Sequence, residues 1–414
     1  MPKRSSVLAA ATFAYFAAVM QRSSLGVASL AAASRFHVSA SALAGLAVFQ
    51  LAVYAVMQIP VGILLDRFGA KVLLQVGAVG MFCGQLLVAN AGDINAAYLG
   101  RAMVGLGDAF TFISLLRLVV AWSPSRVAGR TQQNLAALGQ LGQVASAIPF
   151  AIALANFGWT TAFEIASSVV LIGLILVSLL VRNQSGTDSS PLRAMSIRHS
   201  MSLLVENIRF SGTRMSFWIH FTLQSSGSVF ALLWGVPFLV AGEGQSRQFA
   251  SALLTMQMVL SLVWGVCLGW IAEHKPQWRA RVVLTIAMSI IAIWIVFACL
   301  PVQAPGWLLV LLVVIISMGG SGSMLAMDFS RGFIPSERLG SANGFINVGG
   351  FLATFTMMWL AGLILDGVQR STGSASAFTF GGFRLALAVQ ILVVGFGLVM
   401  YLIERARTRR THPV

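Results

Sequence analysis

Few side chains in this chain can do chemistry, and the informative ones lie inside apolar runs. Arg22, Arg101, Asp108, Arg117 and His220 each interrupt a stretch long enough to cross a membrane. An ionisable group there costs a few kcal/mol or more, so each needs a partner or a task. Arg22 stands about 13 residues, hence about 20 Å, into the first run, too deep to reach the cytoplasmic water by snorkelling; snorkelling to the outer surface or a structural pairing is the alternative to a ligand role. Its planar fork of donors suits a carboxylate or phosphate. Asp108 is the sole acid near the middle of any run, and a buried carboxyl can load and release a proton near neutral pH. Arg101 precedes it by seven residues, two turns, on the same helix face and about 10 Å away. The competing reading locks Asp108 in a permanent salt bridge with Arg22 or Arg117.

His220 has a titration range suited to proton transfer, although a lone His in a helix is more often simply hydrogen-bonded. Gln140, Gln143, Gln224, Gln257, Asn343 and Asn347 offer amides for the hydroxyls or carbonyls of a polar solute. For each of them, amide bonding between helices is an equal alternative.

The elements that position these groups follow from composition. Of 414 residues, 57% are hydrophobic and 9% charged, which excludes an ordinary soluble domain. Runs near the length of a spanning helix fall at 7–33, 41–65, 72–91, 96–122, 131–155, 160–181, 215–240, 248–272, 282–300, 306–331, 340–365 and 380–402. A net charge of +15 is one that nucleic-acid binders also carry. Its placement argues instead for a membrane: with the N-terminus inside, Arg35, Arg247 and Arg370 fall outside and most other Lys and Arg fall on the cytoplasmic side, the positive-inside bias. Both termini are then expected in the cytoplasm and the chain in the plasma membrane, in contact with the lipid bilayer. Cys83, Cys267 and Cys299 lie inside runs and read as apolar packers.

The polar stretch 182–214 divides the chain into a bundle at 1–181 and a second at 215–414, the latter with a basic tail. Faint internal similarity pairs Gly62–Lys71 with Gly269–Trp278, and the Pro-Ser-x-x-x-Gly at Pro124 with that at Pro335. By this repeat Arg117 corresponds to Asp328, which makes it either half of a gate or a second anion contact. No Walker A loop, zinc set or Ser-His-Asp constellation is present, so neither ATP nor catalysis is expected. No cofactor is implied.

The segment Gly62-Ile-Leu-Leu-Asp66-Arg67-Phe-Gly69-Ala-Lys71-Val-Leu-Leu74 resembles the signature loop between helices 2 and 3 of the major facilitator superfamily. Arg101-Ala-Met-Val-Gly105-Leu-Gly107 matches that superfamily's R-x-x-x-G-x-G element. Gln21-Arg22-Ser-Ser-Leu-Gly-Val-Ala28 and Gly158-Trp159-x-x-x-Phe163 are similar to its organic anion–proton symporter branch, which includes hexuronate, galactonate and sialic-acid carriers. The resemblance implies an all-α membrane protein of twelve transmembrane helices in two six-helix bundles, working as a monomer by alternating access. It implies Arg22 as a substrate-anion ligand, Asp108 as the proton carrier with Arg101 setting its affinity, and Gly62, Asp66, Arg67, Gly69 and Lys71 as gating residues. Gly62 is expected to let two helices approach closely. The chain departs from the branch at Gln21, where an acid is usual, so coupling is altered or rests on Asp108 alone. A small organic anion, expected to be a carboxylate moved with protons, is the implied solute. A proton-coupled exporter of hydrophobic or cationic compounds is the alternative, and it would favour negative rather than arginine-rich surroundings.

Overall fold

A computed structural model describes residues 3–183, 206–334 and 339–411. Among the described residues every regular element is a helix, and none is a strand. The helices are α1 (Arg4–Phe36), α2 (Ala40–Asn90), α3 (Ile94–Trp122), α4 (Ser125–Ala145), α5 (Ala151–Leu180), α6 (Ser211–Val229), α7 (Arg247–His274), α8 (Arg279–Cys299), α9 (Gly306–Gly322), α10 (Leu325–Phe333), α11 (Leu339–Thr372) and α12 (Phe380–Thr411). Among the described residues ten stretches are long and apolar enough to cross a membrane, one of them running 47 residues from Asn134 to Leu180. That stretch is divided at Gly158, whose φ of 76° no helix accommodates. Counting its two parts separately, and adding the 33-residue α1, gives the twelve spans expected.

Local chemistry places the breaks. Within α2 a second left-handed glycine, Gly69 (φ 76°), separates two spans. Asp93 caps α3, its carboxylate accepting from the N–H groups of Asn95 and Ala96 at 2.8 and 3.0 Å. Pro149 sits in the π turn Ser146–Phe150 that carries α4 into α5. Two further π turns, Phe230–Trp234 and Phe238–Gly242, extend α6 on either side of Pro237.

The chain resolves into two compact units. The first comprises Met1–Val38 and Leu46–Ser196, the second Ser39–Gly45 and Ile197–Val414. Small residues draw the helices of the first unit together. A Cβ on Gly142 would meet the carbonyl of Phe16, and one on Gly139 would meet the Tyr15 ring, so α4 lies directly on α1. Gly105 brings α3 against the carbonyl of Gln50 in the same way. Without a hydrophobic drive between helices in lipid, such close backbone approach is what packs them. In the second unit Gly349 and Gly350 seat α11 on α6, and Asp366 of α11 accepts the N–H groups of Ala40 and Ser41 at 2.7 and 3.1 Å.

Candidate functional site

The glycine contacts of the first unit converge on one polar cluster. Gln140, one residue after Gly139, donates to the Tyr15 hydroxyl at 2.8 Å. Tyr54, one turn beyond Gln50, lies with its ring centroid 4.8 Å from the Arg22 guanidinium carbon. Arg22 itself donates Nε to Asp108 Oδ2 at 2.7 Å and Nη2 to Oδ1 at 2.8 Å. Asp108 is fully buried and the Arg22 side chain is 15% exposed. This is a two-pronged, charge-assisted pair with a cation–π face beside it. Of the alternatives open in the sequence, the salt bridge is formed, and its partner is Arg22.

Arg101 does something different from what its spacing suggests. Its guanidinium crosses to α1, where Nη1 donates to the Gln21 carbonyl (3.4 Å) and Ser24 Oγ (3.5 Å), and Nη2 to the Arg22 carbonyl (3.4 Å). The side chain is 1% exposed, so its charge is spent on the backbone that carries Arg22. Gln21 is turned to α5, donating to the Ala166 carbonyl at 2.6 Å. Gln85 completes the layer by donating to Ser24 Oγ at 3.3 Å. The cluster therefore holds two arginines and one carboxylate, an excess of one positive charge.

Arg117 is half-buried on the same helix as Asp108, and Gln143 is half-buried on α4. Neither has a place in the pair described above.

The second unit holds a neutral polar group. His220 Nδ1 lies 3.2 Å from the Ser323 carbonyl and Nε2 3.2 Å from the Asn347 amide. A carbonyl only accepts, so Nδ1 carries the proton, and Nε2 faces an amide that can present either end. Gln224 and His220 both crowd Gly350, where a Cβ would meet them at 2.9 and 2.8 Å. Gln257 donates to the Gly227 carbonyl at 2.9 Å, which is the helix-to-helix bonding weighed as an alternative. Asn343 accepts from Ser330 at 3.0 Å.

The signature loop is described in part. The Asp66 side chain lies outside the described residues. Arg67 is exposed, with its guanidinium carbon 5.2 Å from the Phe68 ring centroid. The close approach expected at Gly62 is not found: a Cβ there would meet nothing within 4 Å among the described residues. Gly69 is the crowded glycine of this loop. Lys71 Nζ donates to the Ser178 carbonyl at 2.9 Å.

Sequence reasoning passed over Tyr15 and Tyr54, the two rings around the Arg22–Asp108 pair. An aromatic in an apolar run reads as packing. The available signal was a hydroxyl seven residues, two turns, before Arg22 on α1.

Comparison with known proteins identifies the family and the fold. The family model described as Major Facilitator Superfamily matches residues 11–358. The chain is 30% identical over 184 residues to a protein of Escherichia coli K12 named "Probable L-galactonate transporter", covering 42% of this chain and 39% of that one. It is 26% identical over 204 residues to the "Probable sulfoacetate transporter SauU" of Cupriavidus necator, covering 48% and 47%. These alignments span less than half the length of those relatives. Among solved structures, a bacterial homologue of the human lysosomal transporter Spinster superposes with a TM-score of 0.77 at 16% identity, covering 98% of this chain and 97% of that one. A D-xylose–proton symporter superposes at 0.70 and 18% identity, covering 95% and 96%.

Proposed function

We propose, from the premise that this chain belongs to the Major Facilitator Superfamily of secondary transporters, that it carries a small organic anion in symport with protons. A transporter family, and not an enzyme family, frames the chemistry. The multi-pass helical fold follows from the same match, and the plasma membrane with cytoplasmic termini is part of the proposal.

The observation that carries the reading is the two-pronged bond between Arg22 and Asp108. It occupies the Nε–Nη2 edge of Arg22, one of the two edges on which a guanidinium can hold a carboxylate by a pair of hydrogen bonds. Protonating Asp108 cancels its charge and frees Arg22 for the anion, while an anion on Arg22 favours the protonated acid. Each ligand then strengthens the other, which is the thermodynamic condition for symport. Gln21 has no proton to give, so a single carboxyl in this cluster does the coupling. Tyr15, Gln140 and Tyr54 border the arginine and supply a hydroxyl, an amide and a ring face to the rest of a polyol acid. The excess positive charge speaks against a cationic solute. In the second unit, His220, Gln224 and Asn347 read as neutral hydrogen-bonding groups toward the solute. Arg67, Gly69 and Lys71 hold the loop through which the gate works.

The relatives supply the panel. Purified protein in proteoliposomes, with the interior made alkaline, should accumulate L-galactonate, sulfoacetate or another small carboxylate. Failure to accumulate or be stabilised by any of them, with thermal stabilisation by lipophilic cations instead, would favour the exporter reading.

A further inference from the structure

The second half of α2 starts at Ala70, immediately after Gly69, so Gly69 stands at the N-cap and has no side chain to cap with. The first turn of a helix leaves its N–H groups without partners inside the helix. Here the missing acceptor comes from 112 residues downstream: Asn183 Oδ1 accepts the Lys71 N–H at 2.8 Å. The exchange runs both ways. Lys71 Nζ donates to the Ser178 carbonyl at 2.9 Å, and Gln75 Nε2 to Ser178 Oγ at 2.9 Å, in the last turn of α5. A Cβ at Gly69 would collide with the Asn183 amide. The glycine is thus required twice, for its positive φ and for the space Asn183 fills. Trp122, the last residue of α3, donates to the Arg182 carbonyl at 3.0 Å. The first two residues after the first bundle are therefore gripped by the loop and by the end of α3.

We propose that Asn183 is a positioning residue of the transport cycle: it caps the helix that follows the signature loop and holds Gly69–Lys71 in register. The proposal rests on the carrier reading above. Asn183 touches no solute and acts through Lys71. A side-chain cap is lost on replacement by Ala and kept by a side chain that retains an acceptor oxygen. Capped and uncapped loops then differ in how fast the protein exchanges between its states, not in how the solute binds.

Full-length Asn183→Ala and Asn183→Asp would be compared with the parent in nanodiscs by hydrogen exchange of the 69–76 segment, and in proteoliposomes by counterflow of L-galactonate. Asn183→Ala should speed exchange of the Lys71 amide about fivefold and lower the maximal counterflow rate severalfold at unchanged half-saturation. Asn183→Asp should restore both. Unchanged exchange in Asn183→Ala, an Asp variant no better than Ala, or a rise in half-saturation in step with the fall in rate would each overturn the proposal. A parent protein that moves no galactonate would count against that solute and not against Asn183, whose role the exchange arm would still decide.

Discussion

Arg22 meets Asp108 side-on, Nε and Nη2 each facing one carboxylate oxygen at 2.7 and 2.8 Å. The pair joins α1 to α3 and consumes the charge of both partners. On the proposed cycle an anion takes the Nε–Nη2 edge that Asp108 now holds, and protonating the acid first removes the negative charge it would have to displace. Removing either side chain instead would leave its partner charged and alone, which is the costly case for buried pairs.

Asp108→Asn should separate coupling from translocation. The amide mimics the protonated acid in size and charge and cannot cycle. Vesicles carrying it should lose proton-driven accumulation, about 100-fold or to background, and retain exchange of solute present on both sides. Continued accumulation against an alkaline interior would mean that the proton travels elsewhere, with His220 the next group to test.

Arg22→Lys keeps the charge and loses the fork. A point charge makes one strong contact where the guanidinium makes two, so the solute should bind about 10- to 100-fold more weakly, about 1–3 kcal/mol. Isothermal titration or thermal stabilisation across a concentration series would measure it. Wild-type affinity in Arg22→Lys would remove Arg22 from the binding site.

Tyr54 lies beside the Arg22 guanidinium at 4.8 Å. Tyr54→Leu keeps an apolar body and deletes the ring face, so a cation–π contribution of about 0.5–2 kcal/mol disappears. Solute affinity should fall up to about thirtyfold, with Tyr54→Phe recovering most of it. Equal affinities in the Leu and Phe variants would show that the ring face contributes nothing.

Arg101→Met tests the anchor on α1. It strips donors from the carbonyls of Gln21 and Arg22 and from Ser24, inside a buried layer. Those acceptors keep other donors, Ser24 Oγ on the Gln21 carbonyl and Gln85 on Ser24 Oγ, so the loss is that of the charge-assisted bonds themselves, about 1–3 kcal/mol, partly offset by removing a buried charge. The purified variant should melt several degrees lower and bind solute more weakly, because Arg22 loses its backbone reference. A variant as stable as the parent would show that the arginine is dispensable for packing.

Gly142→Val asks how much of the site depends on small residues. Its Cβ would meet the Phe16 carbonyl, so α4 must move off α1, at about 1–3 kcal/mol of strain. Stability and the Gln140–Tyr15 bond should suffer together. Thermal unfolding, with uptake measured on the folded fraction, reads both. Unchanged stability would mean that the contact is slack.

The sequence by itself determined the spans and the chemistry available inside them. Hydrocarbon tolerates only backbone that satisfies itself, so apolar runs of this length had to be helices, and the loop at Gly69 marked where two of them turn. The cost of burying charge singled out Arg22, Arg101 and Asp108. Which of them meet was another matter. Arg101 and Asp108 share a helix face, but two turns along a helix is about 10 Å, beyond contact. Arg22 reaches Asp108 from a different helix, at a distance fixed by bare backbone at Gly105, Gly139 and Gly142, residues whose neighbours no local pattern names. Arg101 was legible as important, but its hold on α1 was not, because its acceptors there are two carbonyls and a serine hydroxyl that sequence offers everywhere. Tyr54 and Asn183 were invisible for the same reason. A tyrosine in an apolar run and an asparagine in a polar stretch each look ordinary until packing sets one beside an arginine and the other over an uncapped helix.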